Sequence, residues 1–387
     1  MVAYQRTRTQ GNNTQVNGSH YKGPSIGWVS ENTTFNGIKT TTDVVGNRAG
    51  PNMFNSEFVG TVPRWIDGAG GGHIWHKCPL WNVSGVGHLL STGTPSSATK
   101  QAWANQIAGD TQPLAPDVSL PTFIGELREV PALIKSFGIG HLKRISQYRT
   151  GESFAAEAAS RHLQWRWGIR PMISDLKKML DFVSAVDKRM GWFNALASGA
   201  GLHRRCRLDE QNAESIGTTT TIYSSGAFIH AKPRTVTTQK VWGSAWWKLK
   251  DFRHFPRTNA QRLHAAKRAV FGWTPEGLVL AAWELFPWSW LIDWFTGFGS
   301  FLNYAQGAGS VTAQWLCAMR HTITWREYIP YDLPNYLTLT GRVVDVRETK
   351  QRYPLPGPNP VTISLLPLLS GDKWSILGSL AVSRRFK

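Results

Sequence analysis

The sequence predicts an α+β protein, elongated, with a helical-bundle region and a β-sheet region each built from discontinuous segments. Three observations lead there. The 387-residue chain switches between β and α texture in blocks too long for βαβ units, which favours segregated sheet and helix over a doubly wound sheet. Helical periodicity is strong over 171–190 and in a Trp-rich run over 274–304. β-branched sequence returns after each. The β region is expected over 1–120, 201–257 and 311–355, and the α region over 121–200, 258–310 and 356–387.

Residues 1–120 are rich in Gly, Asn, Thr and Ser and hold only short apolar runs, at 26–29, 58–62 and 73–75, a β and loop texture. From Pro121, residues Phe123, Leu127, Val130, Leu133, Ile134 and Phe137 follow helical spacing, with Pro131 as a kink. The 153–167 stretch contains the helix formers Ala155, Ala156, Glu157, Ala158 and Ala159. The next helix has Pro171 in its first turn and stops before Gly191; Met172, Leu176, Met179, Leu180 and Val183 share one face. Alternating sequence over 218–247 predicts strands, helix resumes at about Thr258, and a second β block covers 311–353. A Pro-rich link at 354–360 leads to an apolar tail ending in Arg384-Arg385-Phe386-Lys387.

The Trp-rich run is too apolar for a surface and unsuited to a membrane, because Glu284 and Asp293 would lie in hydrocarbon and Pro287 would free a backbone carbonyl. It reads as two buried helices. Thr274 caps the first, Pro287 marks the break, and Trp290, Trp294, Phe298 and Phe301 line one face of the second.

Charge departs from the ordinary: 43 Lys and Arg against 25 Asp and Glu leave +18, through a shortage of acids. A pI near 10.1 suggests an anionic partner, nucleic acid being the commonest. Cys78, Cys206 and Cys317 are odd in number and widely spaced, so no disulfide framework is implied. The first fifteen residues lack an apolar h-region, so no secretory signal and synthesis in a cytoplasm are expected.

Enzyme signatures are not found. The glycine run at 68–72 is not followed by Gly-Lys-Ser/Thr. His73, His76 and Cys78 have metal-like spacing without a second ligand pair, so no metal or cofactor is expected. Glu284 and Asp293 would be the paired carboxylates of a glycosidase, but an aromatic helical setting favours structural pairing with Arg. Basic residues cluster more informatively: Arg161, His162, Arg166 and Arg170 beside Trp165 and Trp167, then Arg204, Arg205 and Arg207, then Lys248, Lys250, Arg253, Arg257, Arg262, Lys267 and Arg268. Cations interleaved with aromatics suit RNA; the blander reading is a solvated helical face.

Two segments carry a family resemblance. The run Arg161-His162-Leu163-Gln164-Trp165-Arg166-Trp167-Gly168-Ile169-Arg170-Pro171-Met172-Ile173-Ser174-Asp175-Leu176 resembles the arginine-rich Gly-x-x-Pro-x-x-Ser-Asp helix start of the maturation proteins of single-stranded RNA bacteriophages. Trp283-Glu284-Leu285-Phe286-Pro287-Trp288-Ser289-Trp290-Leu291-Ile292-Asp293-Trp294 is similar to that family's Trp-Glu, Pro-x-Ser-x-x-x-Asp-Trp pattern. The 125–131 segment is similar to its first long helix.

The resemblance implies a protein present once per virion in place of a coat-protein dimer. It would hold the genomic RNA near its 3′ end, bind a host pilus or other receptor, and travel into the cell with the RNA, without catalysis. Trp165, Gly168, Pro171, Ser174, Asp175, Trp283, Glu284, Pro287, Ser289, Asp293 and Trp294 would be architectural. RNA contacts are expected from Arg161, Arg166, Arg170, Lys177, Lys178, Arg262, Lys267, Arg268, Arg384 and Arg385, with the β region meeting the receptor. The rivals are inhibition of a host cell-wall enzyme leading to lysis, membrane insertion through 278–302, and degradation of a surface polymer.

Overall fold

The computed structural model describes residues 3–47, 50–80, 85–115, 182–224, 226–250, 255–271, 310–340 and 344–359. In chain order the elements are β1 (Tyr4–Tyr21), β2 (Trp28–Val45), β3 (Phe54–Val62), β4 (Trp65–Gly70), β5 (His73–Pro79), α1 (Ser97–Thr111), α2 (Phe182–Ala197), β6 (Leu202–Ile216), β7 (Thr220–Ser224), β8 (Ala227–Leu249), α3 (Asn259–Phe271), β9 (Val311–Pro330), β10 (Leu337–Thr340) and β11 (Val344–Pro354). The strands form one curled antiparallel sheet in the order β10-β4-β5-β1-β2-β3-β11-β9-β8-β6, with β7 on β8.

This corrects the expected helical bundle plus sheet. The described residues are 57% strand and 17% helix, with three helices. Within the stretches expected to be β, strand extends well beyond the short apolar runs into polar sequence. β1 and β2 pair over their full eighteen residues although few of them are apolar, because cross-strand Thr, Asn and charged pairs suit a pleated ribbon open to water. β6 carries six charged residues and is tied by Arg207–Glu210, by Lys240–Glu210 at 3.6 Å and by Arg234–Glu214 at 2.7 Å. In the other sense, α1 occupies part of 1–120, where strand and loop were expected. The runs expected to be helical over 121–181, 272–306 and 360–387 lie outside the described residues.

The chain divides into two compact units. Unit 1 comprises Met1–Ser96, Arg205–Ser244 and Trp315–Leu355, and unit 2 comprises Ser97–Arg204, Ala245–Gln314 and Pro356–Lys387. Unit 1 has an apolar core of Ile66, Trp75, Cys78, Leu80, Ile222, Ile229, Tyr328 and Leu337 with small alanines between them. Elsewhere its sheet buries polar groups. The extended segment 85–96 crosses β8, β9 and β11 and is held there by side chains: His88 shares hydrogen bonds with Thr324 at 2.7 Å and Thr349 at 2.8 Å. Leu89 N–H donates to Thr237, Gln239 donates to the Ser91 carbonyl, and Arg320 donates to the Gly93 carbonyl at 2.6 Å.

Within unit 2, α2 and α3 bury Val186, Phe193 and Leu196 and Ala266, Ala269 and Val270. Phe193 meets Phe255 edge-on at 5.7 Å. Trp247 is fully buried, and its indole N–H donates to the Thr111 hydroxyl at the end of α1.

Candidate functional site

Of the expected RNA contacts, Arg262, Lys267 and Arg268 lie on α3. Arg161, Arg166, Arg170, Lys177, Lys178, Arg384 and Arg385, and all the architectural motif residues from Trp165 to Asp175 and Trp283 to Trp294, lie outside the described residues. α3 starts with a reciprocal cap: Gln261 N–H donates to the Thr258 hydroxyl at 3.2 Å, while the Gln261 side chain accepts from the backbone N–H groups of Thr258 and Arg257. Its buried alanines face α2, so Leu263, His264, Lys267 and Arg268 come to the solvent side.

Arg262 is placed differently from its neighbours. Its guanidinium donates to Asn194 Oδ1 on α2 at 2.8 Å and to the carbonyls of Pro256 and Arg257 at 3.1 and 2.9 Å. It is half-buried and fastens α3 to α2, whereas Lys267 and Arg268 present charge outward. Two exposed cations beside an imidazole suit phosphate contact along a backbone.

Sequence reasoning missed a second basic feature of unit 2. The Trp192 ring lies within cation–π range of Lys188 at 5.3 Å, Arg189 at 4.8 Å and Arg204 at 3.8 Å. Arg204 also donates to the carbonyls of Thr111 and Gln112, and Arg189 to that of Pro113, so both meet the negative end of α1. Lys188 and Arg189 lie one helical turn from Trp192 on α2, but Arg204 reaches the ring from β6, so no local pattern joins the three.

One end of the unit 1 sheet exposes aromatic and aliphatic side chains: Ile26, Trp28, Ile74, Phe228, Tyr331 and Tyr336 are each at least 41% exposed. Cross-strand pairing sets Trp28 and Ile74 on either side of Tyr21, and Tyr336 and Tyr331 have contacts of their own. Tyr21 is paired with both Trp28 and Ile74, Trp75 stacks on Tyr336 at 6.1 Å, and Tyr331 N–H donates to the His230 carbonyl. Beneath them His20 is buried between His73 and Trp75, each ring 5.1 Å away, and shares a 3.0 Å hydrogen bond with His73. Burial first, and then the nearby His73 and Lys22 charges, lower the His20 pKa. The metal-like trio is dispersed: His73 pairs with His20, His76 lies 3.6 Å from Asp67, and Cys78 is buried with its thiol donating to the Ser19 carbonyl. Burial pushes the Cys78 thiol up to about 11, which leaves it protonated and unreactive near neutral pH.

No protein-family model matches the chain, and no curated protein is similar to it. Among the described residues no helix is long and apolar enough to cross a membrane. The surfaces of the two units therefore carry the functional reading together with the motifs.

Proposed function

We propose that the chain is the maturation and attachment protein of a single-stranded RNA bacteriophage, binding the genomic RNA and a host receptor such as a pilus. The observation that carries this reading is the pair of motifs at 161–176 and 283–294 in a chain of net charge +18. Lys267 and Arg268, outward on α3, support RNA contact from unit 2. Exposed Trp28, Tyr331 and Tyr336 support protein contact from unit 1, since aromatic side chains dominate protein recognition energetics. RNA is held by charge and the receptor by apolar contact, so the two interactions differ in salt dependence.

The test is a titration of the purified full chain with the phage's own 3′ RNA at rising salt. Neutralising about six phosphates lowers affinity roughly a thousandfold between low and moderate salt. Salt-independent binding, or none, would sink the proposal.

A further inference from the structure

We infer that unit 1 has a binding site for an acidic sugar on the sheet face formed by β1, β2, β3 and β11. This site is independent of the RNA-phage reading. Cross-strand register builds it. Arg8 stands opposite Thr41, Thr41 opposite Ser56 and Ser56 opposite Lys350, a single row across four strands. The row on one side runs Arg6, Asp43, Phe54, Arg352, and the row on the other runs Gln10, Lys39, Phe58, Glu348. Alternation of the pleat puts all twelve side chains on one face. Contacts agree: Thr41 and Ser56 share a hydrogen bond at 3.1 Å, and the Arg352 guanidinium lies over the Phe54 ring at 5.9 Å.

Between these rows is a concavity of about 600 Å³, lined by Arg8, Thr9, Gln10, Lys39, Thr41, Phe54, Ser56 and Lys350. That volume is typical of a small-ligand site. Its lining is chemically selective. Three cations and no carboxylate face it, the Thr41–Ser56 hydroxyl pair forms a polar floor with Ser56 only 5% exposed, and Gln10 adds an amide. Phe54 supplies a ring edge for the apolar face of a pyranose. Beside the floor, on the same face, Phe58 lies across Gly37 and Gly60; a Cβ on Gly60 would come 2.6 Å from the ring, so the two glycines let the phenyl lie flat.

Neighbouring acids fix where charge is left over. Asp43 takes two hydrogen bonds from Arg6, at 3.1 and 2.7 Å, and one from Arg8 at 3.2 Å. Glu348 takes Lys350 at 2.8 Å and His321 at 2.7 Å. Lys39 is exposed and has no ion-pair partner among the described residues, so its ammonium is left to meet an incoming anion. The carboxylates of Asp43 and Glu348 bound the concavity on both sides. Both carboxylates are already paired with cations, and a concavity of about 600 Å³ has room for one anionic group joined to hydroxyls rather than for an extended chain. A hexuronate or a sugar phosphate has that chemistry.

The experiment titrates the full chain with D-glucuronate and with D-glucose 6-phosphate, with D-glucose and inorganic phosphate as controls, by ligand-observed NMR and calorimetry. At least one acidic sugar should saturate with a Kd of about 1 mM, and glucose and phosphate should each bind at least about tenfold more weakly. Lys39→Ala, an exposed side chain outside any core, should weaken that binding about tenfold with Tm unchanged, and Thr41→Val should weaken it about tenfold without altering charge, with a lower Tm because the Ser56 hydroxyl loses its partner. Failure of both acidic sugars to saturate overturns the site. So does binding matched by inorganic phosphate, or binding indifferent to both substitutions. Tight capture of a single-stranded RNA oligonucleotide lost in Lys39→Ala, with no sugar binding, would replace the sugar by a polyanion.

Discussion

Thr258 and Arg262 show two ways in which a single side chain on α3 acts. Thr-x-x-Gln ahead of an apolar run is a cap that can be read directly from sequence, and α3 begins at Asn259, next to the start expected at about 258. Arg262 could not be read the same way. Its three acceptors sit on Asn194, Pro256 and Arg257, and the first of these is reached only by packing against α2. Thr258→Ala should lower stability by about 1 kcal/mol, seen as a fall in Tm, and leave RNA affinity unchanged. Arg262→Ala should lower Tm by more, because the Asn194 amide and two carbonyls lose a charged donor. Equal loss of RNA affinity in Arg262→Ala and Lys267→Ala, with both fully folded, would show that Arg262 is a contact rather than a tie.

At the scale of elements, the legible part of the sheet was the alternating sequence over 218–247 and the block over 311–353, where β7, β8, β9 and β11 form. The β1–β2 ribbon was not legible at its true length. Apart from Val16 and Phe35 its buried positions are few, so the period-two signal is faint and pairing with β3 and β5 decides the strand ends. The 85–96 segment has no periodicity at all, yet it is anchored through His88. Burial, then the Arg347 and Arg320 charges, lowers the His88 pKa against a weaker opposing pull from Glu57. The unfolded chain takes up a proton below the ordinary value of 6.5 that folded His88 refuses. Its contribution is therefore complete above that value and lost as pH falls through the lower folded value. His20 acts in the same direction, whereas Asp345, raised by burial despite hydrogen bonds from Thr61 and Tyr328, loses its contribution as pH rises through its folded value. Unfolding followed at about pH 7.5 and about pH 5 should show a lower Tm at the acidic pH, and His88→Gln should narrow the difference. An unchanged difference would remove His88 as the source.

At the scale of the whole molecule, composition raises an expectation about partners and says little about architecture. The excess of Arg and Lys over acids is visible without a fold, but the clusters it forms are assembled from distant strands, as with Arg8, Lys39 and Lys350. The motifs suggesting an RNA-phage protein lie at 161–176 and 283–294, outside the described residues, so the test must come from the particle. Ultraviolet cross-linking of intact virions, followed by mass spectrometry of this chain, reads RNA contacts directly. RNA-linked peptides should concentrate in unit 2, including the α3 peptide with Lys267 and Arg268, with the peptides of the exposed Trp28 and Tyr336 end unlinked. Cross-links confined to unit 1, or none in a chain present in the virion, would contradict the account.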